Sequence, residues 1–303
     1  MADLLVVGSV ALDTVETPFG GVRDALGGSA TYFAYAASFF TRVHLVGVVG
    51  EDFPREHVRL LEARGVDTRG LVVAPGRTFR WAGRYGYDLN ERVTLDTQLN
   101  VFAEFRPRLR PDVQRIPFLF LANIDPTLQL DVLGQMAERP RLVALDTMNF
   151  WIEGQREALR RVLAEVDVAT LNDAETRQLA GEPNLIKAAR TIATMGPKTV
   201  AVKRGEYGAL MITDGAVFIV PAFPLEAVTD PTGAGDTFAG GFMGYLAAQN
   251  RFDGATARRA LVYGSVMASF AVEDFSLSRL VRLTPAEIGE RYAAFQDLMR
   301  VEI

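Results

Sequence analysis

The stretch Asp230-Pro231-Thr232-Gly233-Ala234-Gly235-Asp236-Thr237-Phe238-Ala239-Gly240-Gly241 joins a glycine loop, a carboxylate and the start of an apolar helix. Val228 and the apolar residues before it predict a strand that leads into the loop, and Phe238 to Ala248 predicts a helix of small residues. A loop that turns into a helix presents unpaired backbone N–H groups at the positive end of the helix dipole, which favours an anion. A carboxylate repels a phosphate, so we assign Asp236 a chemical role, taking the proton from a hydroxyl that attacks the phosphate.

The same stretch has a plainer interpretation, a glycine-rich turn in which Asp236 is a helix N-cap. The motif extends over about ten consecutive positions, which favours the chemical interpretation. It resembles the C-terminal signature of the PfkB (ribokinase-like) family of small-molecule kinases. The resemblance implies that Asp236 is the catalytic base and that Thr232 binds the nucleotide. It also implies that the transferring phosphoryl group is stabilised by the N–H groups of Gly233, Ala234 and Gly235.

Two segments near the N-terminus extend the resemblance. Leu4 to Asp13 predicts a buried strand, a small-residue turn and one acid, and the family's Asp at this place hydrogen-bonds substrate hydroxyls. Gly27-Gly28-Ser29-Ala30-Thr31 opens a predicted helix and resembles the family's Gly-Gly signature, where the backbone lies against the sugar. The family often has Asn at the position of Tyr32, so this chain departs from the usual pentose-binding pattern. The resemblance implies an acceptor site at Asp13, Gly27, Gly28, Thr31 and Tyr32.

A third motif, Leu171-Asn172-Asp173-Ala174-Glu175, resembles the family's Asn-x-x-Glu, which helps to hold magnesium and phosphate, largely through water. Mg²⁺ keeps several waters and uses few direct carboxylates, so Glu175 with Asn172 is a chemically adequate set. The alternative is a capping box, in which Asn172 caps the helix and Glu175 returns the hydrogen bond. The two roles are compatible, and the position of the motif after a predicted strand favours the functional one.

The run Val200 to Ala209 resembles the strand and Gly-x-x-Gly turn that border the nucleotide in this family. For Arg204, a hairpin turn with solvated charges is an equal alternative to a phosphate contact. Asp146-Thr147-Met148-Asn149 resembles the family's turn at another strand end, with a weaker match. The resemblance implies nucleotide contacts at Lys203, Gly205 and Gly208.

Composition is compatible with such an enzyme and excludes others. The chain has 303 residues, 49% of them hydrophobic, which is enough for a large core. Its net charge of -5 argues against a nucleic-acid partner. It has no cysteine and only two histidines, His44 and His57, which excludes thiol chemistry and disfavours a histidine metal site or a Ser-His-Asp hydrolase. No run is long enough to span a membrane and no basic segment precedes Leu4 to Val10, so we expect a cytoplasmic protein without membrane contact.

Two other nucleotide-binding classes do not fit the residues. The only lysines are Lys187, Lys198 and Lys203, and none follows a glycine loop as in a Walker A motif, which excludes a P-loop kinase. A Rossmann dehydrogenase needs its glycine motif after the first strand, where Gly8 stands alone.

Apolar strand-like runs alternate with helical ones, which predicts an α/β fold with a mostly parallel sheet and helices on both faces. In the family, this is the ribokinase-like three-layer sandwich with a small β lid. Ligands of such sheets bind beyond the carboxyl ends of the strands, so we expect Asp13, Asn172 and Asp236 to converge there. The predicted strands are 4–8, 44–49, 118–122, 142–146, 166–171, 199–203 and 209–213. The predicted helices are 30–40, 55–64, 128–137, 155–164, 174–180, 185–195, 237–249, 255–270 and 285–300.

The segment 77–105 interrupts this rhythm with aromatic residues and alternating stretches such as Arg92-Val93-Thr94-Leu95. We interpret it as strands outside the main sheet, the place where the family builds its lid. A lid excludes water, which competes with the substrate as phosphoryl acceptor. Its aromatic residues either stack on a sugar or a base, or pack within the lid or against a second copy in a homodimer. We therefore predict one kinase domain, 1–303, with its lid contributed mainly by 77–105.

The resulting prediction is an ATP- and Mg²⁺-dependent phosphotransferase whose acceptor is a hydroxyl of a small sugar. A nucleoside or inositol is the alternative acceptor, and a non-catalytic sugar- or nucleotide-binding regulator is a third possibility. Many members of the family have a Gly-Ala turn that helps to hold a monovalent cation. This chain reads Val272-Glu273-Asp274-Phe275-Ser276 there, a departure that argues against potassium activation.

Overall fold

The computed structural model describes residues 2–300. Within that range the strands are β1 Leu4–Val7, β2 Ala11–Thr17, β3 Gly20–Gly27, β4 Val43–Gly50, β5 Asp67–Ala74, β6 Phe79–Tyr85, β7 Arg92–Gln98, β8 Phe118–Leu121, β9 Leu142–Asp146, β10 Val168–Asn172, β11 Thr199–Lys203, β12 Ala209–Thr213 and β13 Ala216–Val220. The α-helices are α1 Ser29–Ala37, α2 Arg55–Ala63, α3 Pro126–Gln135, α4 Asn149–Gly154, α5 Arg156–Glu165, α6 Asp173–Ala180, α7 Leu185–Ala193, α8 Ala234–Gln249, α9 Gly254–Ala271, α10 Ser278–Arg282 and α11 Pro285–Leu298. Two 3-10 turns lie at Asn100–Glu104 and Gly205–Tyr207.

Nine strands form the central sheet, in the order β13-β12-β11-β10-β9-β8-β1-β4-β5. All neighbouring pairs are parallel except β11–β12 and β12–β13, which are antiparallel at one edge. The inner strands are buried along their whole length, because a parallel sheet is covered by helices on both faces. Every strand and helix predicted from the alternation is present, and the three-layer fold is confirmed.

Helices cover the two faces of this sheet with separate apolar cores. One core contains side chains of α1, α2, α8, α9 and α11, and the other contains side chains of α3 to α7. In α8 the small residues permit close packing, since a Cβ on Gly240 would overlap the backbone of Phe33 in α1. The glycines that follow Asp236 are therefore explained by the close packing of α8 against its neighbouring helices.

A second sheet of four strands, in the order β3-β2-β6-β7, lies outside the main one. We predicted that residues 77–105 contribute most of this lid, whereas half of its strands come from 11–27. Asp13 accordingly lies within β2, not directly after the first strand as expected. Strand β3 is mostly exposed and rich in glycine and charge, so its sequence has no apolar alternation and only its pairing with β2 makes it a strand.

The strand predicted before the glycine loop is wrong. The chain leaves β13 at Val220 and runs without regular structure to the start of α8. Pro221 and Pro224 fall in this segment, and a proline cannot donate a backbone hydrogen bond to a neighbouring strand. The glycine loop before α8 therefore does not continue from a strand of the sheet.

The lid is anchored at its base by Asp52, which follows β4. The Asp52 carboxylate accepts hydrogen bonds from the Thr78 amide and hydroxyl, both at 2.7 Å. Its other oxygen accepts from Arg80 Nη1 at 2.8 Å. These bonds connect the start of β6 to the end of β4, so the base of the lid is held against the main sheet.

Candidate active site

The glycine loop ends at Gly233, which is the N-cap of α8 in the left-handed conformation, with φ of 74°. Helix α8 starts at Ala234, so the amides of its first turn lack partners within the helix and face the loop. The Ala234 N–H donates to the Pro231 carbonyl at 3.2 Å, so one of the three predicted donors is engaged in a turn. The amides of Gly233 and Gly235 remain as the donors that this turn does not use.

Asp236 lies in that first turn and has the electrostatics of a base. Burial raises the pKa of its carboxyl to about 7, and the nearby Asp146 carboxylate adds to the increase. Lys203 and Arg92 oppose the increase through their positive charges. The side chain is half-buried at the floor of the cleft, so one edge stays accessible to an acceptor. A carboxylate with this pKa accepts a proton more readily near neutral pH than an ordinary aspartate does.

Lys203 forms an ion pair with Asp146, and its charge also acts on Asp236 and Glu175. Its Nζ atom lies 2.5 Å from Asp146 Oδ2, and it lowers the pKa values of both Asp236 and Glu175. A Cβ on Gly235 would lie 3.2 Å from the same Nζ, so the ammonium group sits against the loop backbone. We predicted a nucleotide contact for Lys203. The structure places it in an ion pair with Asp146, next to the glycine loop 230–235, which we call the anion loop.

Replacing this lysine should move the pH dependence of the reaction. In Lys203→Met the positive charge that favours ionised Asp236 is gone, so the pKa of Asp236 rises further. The ascending limb of log kcat/KM against pH should shift to higher pH by about one unit. Asp146→Asn added to Lys203→Met removes the orphaned carboxylate and should move the limb back. Lys198→Met, which changes an exposed lysine, is the control. An unmoved limb in Lys203→Met would contradict this account.

The predicted acceptor side of the site comprises Asp13 and the turn that precedes α1. Burial raises the pKa of Asp13 to about 7, and the Gly28 amide opposes this shift by donating to the carboxylate. A Cβ on Gly27 would overlap the Asp13 carboxylate, so that position accepts only glycine without displacing the acid. Gly28 has φ of 95°, and a Cβ there would meet the Ser9 carbonyl at 2.5 Å. The two glycines thus let the backbone wrap closely around Asp13.

Tyr32 and Thr31, both predicted as acceptor ligands, are placed deeper than the cleft surface. Tyr32 is 2% exposed, and a Cβ on Gly233 would lie 2.5 Å from its ring. The ring therefore packs under the anion loop, where it joins the acceptor turn to the phosphate side. Thr31 is fully buried, and its hydroxyl has no hydrogen-bond partner among residues 2–300. Neither side chain offers an open face to a ligand.

Asn172 and Glu175 form the capping box that we considered as the alternative. Asn172 Oδ1 accepts from the Glu175 amide at 2.7 Å, and Glu175 Oε2 accepts from the Asn172 amide at 2.8 Å. Burial raises the pKa of Glu175 to about 7, which Lys203 opposes and Asp146 reinforces. The residues described hold no group of three carboxylate or histidine side chains suited to a metal ion. One carboxylate with waters and substrate phosphates suits Mg²⁺, so the residues fit that ion only together with a nucleotide.

The nucleotide-side turn lies directly beneath the lid. Gly205 has φ of 53° and Gly208 has φ of 84°, conformations that glycine adopts without strain. A Cβ on Gly205 would overlap Asn90, at the tip of the hairpin between β6 and β7. Asn90 Nδ2 also donates to Glu206 Oε1 at 3.4 Å. The lid hairpin therefore touches the turn that the resemblance assigns to the nucleotide.

Three side chains reach the site without having been predicted as ligands. Asp146 is the ion-pair partner of Lys203, and Tyr85 and Arg92 come from the lid. Thr232 Oγ1 lies 3.4 Å from Tyr85 Oη, which joins the lid to the anion loop. The sequence did contain a signal for the two lid residues. Every second residue of a strand faces the same side, so the alternation along β6 and β7 could have placed Tyr85 and Arg92 on one face of the lid.

Three comparisons with known proteins agree with this geometry. The family model described as "pfkB family carbohydrate kinase" matches residues 1–281. A cytidine kinase of Thermococcus kodakarensis is 32% identical over 250 residues, which are 80% of this chain and 88% of that protein. A nucleoside kinase of Methanothermobacter thermautotrophicus is 28% identical over 297 residues, 90% of each chain. The solved structure of a Burkholderia thailandensis nucleoside kinase in complex with inosine has the same fold, with a TM-score of 0.78 at 21% identity over 96% of this chain and 97% of that one.

Helices long and apolar enough to cross a bilayer do not occur among the residues described.

Proposed function

This chain belongs to the pfkB family of carbohydrate kinases, which are phosphotransferases, and we propose that Asp236 is the base with which it phosphorylates a small sugar or nucleoside at the expense of ATP. One observation supports this assignment most strongly. A carboxyl with a pKa of about 7 lies in the first turn of α8, next to amides that are free to bind a phosphate.

The proposed reaction uses the residues as follows. The Asp236 carboxylate takes the proton of an acceptor hydroxyl as its oxygen attacks the γ-phosphorus. The bond from that phosphorus to the β–γ bridging oxygen breaks, and ADP leaves with the electron pair. The amides of Gly233 and Gly235 donate to the phosphoryl oxygens, and Asp13 orients the acceptor through its other hydroxyls. Asn172 and Glu175 would hold Mg²⁺ through water, and the ion would neutralise charge on the phosphates.

For the acceptor we propose a nucleoside. Trp81 is the Cα partner of Asp13 in the β2–β6 pair, so the two side chains share the cleft face of the lid. A Cβ on Gly83 would overlap the indole, which means that the half-buried ring lies flat along the sheet. A flat aromatic surface beside a carboxylate that binds hydroxyls suits a molecule with a base and a ribose. The cytidine and nucleoside kinases among the relatives support the same class.

A free sugar is the second candidate, because Asp13 and the Gly27-Gly28 turn are sufficient to bind a polyol. Relatives named ribokinase and deoxyribokinase act on sugars, with 32% identity over 116 residues and 25% over 282 residues. An inositol fits the same hydroxyl-binding logic.

ADP release should be measured with Mg²⁺-ATP across nucleosides, pentoses, hexoses, ketoses and inositols. We expect cytidine or another nucleoside to give the highest kcat/KM. Trp81→Ala should raise the KM for the nucleoside about tenfold, because base–aromatic stacking contributes about 1–3 kcal/mol. The KM for ATP should not change.

The second tryptophan provides a matched control. Trp151 donates from Nε1 to Asn123 Oδ1 at 2.9 Å and lies outside the lid, so Trp151→Phe should leave the nucleoside KM near the wild-type value. A free sugar that outperforms every nucleoside, with a KM unaffected by Trp81→Ala, would replace the nucleoside with a sugar. ATP binding with no turnover on any acceptor would favour the non-catalytic regulator.

The lid and the main sheet together form the single kinase domain that we propose for the chain. Strand β7 is one of the two edge strands of the lid, and its Val93 and Leu95 are exposed, at 63% and 48%. An exposed apolar edge strand favours pairing with another strand. We therefore propose that two copies associate through their lids, which sedimentation of the wild type and of Leu95→Lys would test.

A further inference from the structure

Arg92 is placed on the cleft side of the lid by its strand partner. It begins β7 directly opposite Tyr85 of β6, and opposed residues of an antiparallel pair point to the same face. Tyr85 is 7% exposed and its hydroxyl lies 3.4 Å from Thr232 Oγ1 in the anion loop. The face that carries Arg92 is therefore the face that covers the loop.

The guanidinium of Arg92 acts on both halves of the reaction centre. Burial is the main cause of the raised pKa values of Asp13, Asp236 and Glu175, and Arg92 opposes the increase at each of them. Asp13 belongs to the acceptor side and Glu175 to the nucleotide side. The positive charge of Arg92 therefore acts on both sides of the site from the lid, although it is a smaller influence than burial at each carboxyl.

Arg92 also differs from its neighbours in having no carboxylate partner. Arg80 pairs with Asp52 and Asp24, and Arg84 pairs with Glu16 at 2.7 Å. Within residues 2–300, no carboxylate oxygen lies within 4.0 Å of an Arg92 nitrogen. Its Cζ atom lies 5.7 Å from the centre of the Trp81 ring. The guanidinium also approaches the Tyr85 hydroxyl, where its charge and a donated hydrogen bond oppose the rise that burial causes in the pKa of that tyrosine. Arg92 is exposed, and a guanidinium has five N–H donors, so it remains available to an anionic ligand beside its contact with Tyr85.

We propose that Arg92 is a catalytic residue that donates hydrogen bonds to the non-bridging oxygens of the γ-phosphoryl group during transfer, an inference that rests on the proposed function. The acceptor oxygen forms its bond to phosphorus, the bond to the bridging oxygen of ADP breaks, and the hydroxyl proton goes to Asp236. Arg92 gains and loses no proton; it balances the charge on the transferring group. Because it is carried by β7, it reaches that group only when the hairpin tip at Asn90 rests on Gly205. Lid closure then completes the catalytic centre as well as excluding water.

The test measures binding of a phosphoryl-transfer mimic, so it does not require the acceptor to be known. Calorimetry with Mg²⁺ compares ADP alone with ADP plus aluminium fluoride, which occupies the place of the transferring phosphoryl group, for wild type, Arg92→Ala and Arg92→Lys. Arg84→Ala removes a lid arginine on the opposite face and is the matched control. Where an acceptor is found, kcat and both KM values are measured as well.

We expect Arg92→Ala to bind ADP like the wild type and to lose about 10²-fold or more in affinity for the ADP–fluoride complex, with a similar loss in kcat. Arg92→Lys should recover only part of both, because an ammonium group lacks the planar fork. Equal affinity of wild type and Arg92→Ala for the fluoride complex would overturn the proposal, and so would a loss confined to the KM of the acceptor. Failure of the wild type to bind ADP would instead count against the proposed function.

Discussion

Asp236→Asn should lower kcat by about 10³-fold while leaving ADP binding unchanged, because the amide keeps the size of the carboxylate but cannot accept the hydroxyl proton. The loop amides and Lys203, which lies against the loop at Gly235, are untouched by this change. Steady-state ADP release and calorimetric titration with ADP measure the two quantities. Turnover within a few-fold of the wild type would remove Asp236 from the role of base.

The pH dependence of the stability of Asp236→Asn shows whether this variant is correctly folded. Burial raises the pKa of Asp236 to about 7, so the folded state disfavours the ionised form. The wild type therefore loses stability as the pH rises from the unfolded-state pKa, about 4, through about 7, and Asn removes this loss. We expect Asp236→Asn to unfold at the wild-type temperature at about pH 4 and to be more stable than the wild type at about pH 8. A rise of three pKa units corresponds to about 4 kcal/mol, and solvent screening of the half-buried carboxyl should reduce the gain to about 1–2 kcal/mol. An inactive variant that is also less stable at alkaline pH would point to misfolding.

Gly27→Ala should lower kcat/KM for the acceptor by about 10²-fold or more, since a displacement of one ångström at a reacting centre has an effect of this size. The added Cβ overlaps the Asp13 carboxylate and forces it away from the cleft. The KM for ATP should change little, because Gly27 lies on the acceptor side of the site. Kinetics with each substrate varied in turn separate the two effects.

Gly134→Ala is the matched control for this substitution. Gly134 lies in α3 with no atom within 4 Å of the position of a Cβ, so the change should leave activity unchanged and should not lower stability, because alanine is the better helix former. If the clash with Asp13 is the cause, Gly27→Ala should destabilise the wild type more than it destabilises Asp13→Ala. Equal destabilisation in the two backgrounds would mean that the glycine serves another purpose.

The sequence predicted the main sheet well because its signal is local. Buried parallel strands such as β8 and β9 are continuous apolar runs, and each stands between helices with an apolar face. The lid was predicted only in part, since β3 becomes a strand by pairing with β2 and not by any alternation of its own. Proline explains the opposite error at 221–229, where the apolar residues resemble a strand but Pro221 and Pro224 lack the backbone N–H that a sheet pairing needs.

In the candidate site, sequence motifs identified those residues whose position is set by a single turn or helix end. The loop at Gly233 and the capping box at Asn172 are of this kind, because both depend on a few consecutive residues. The Lys203–Asp146 ion pair joins two strands 57 positions apart, and Arg92 acts from another sheet. Contacts of this kind depend on the three-dimensional arrangement, which no short motif specifies. The depth of Tyr32 is a similar case, since its ring position is set by the loop above it.

The central claim is that the protein transfers a phosphoryl group with Asp236 as the base. Its most direct test is to follow the γ-phosphoryl group of ATP by phosphorus NMR in the presence of the best acceptor. For the wild type, the γ resonance should be replaced by a phosphomonoester resonance in equal amount, with little inorganic phosphate. Asp236→Asn should leave the γ resonance unchanged over the same time. Inorganic phosphate as the main product of the wild type, or a phosphomonoester formed equally fast by Asp236→Asn, would contradict the account.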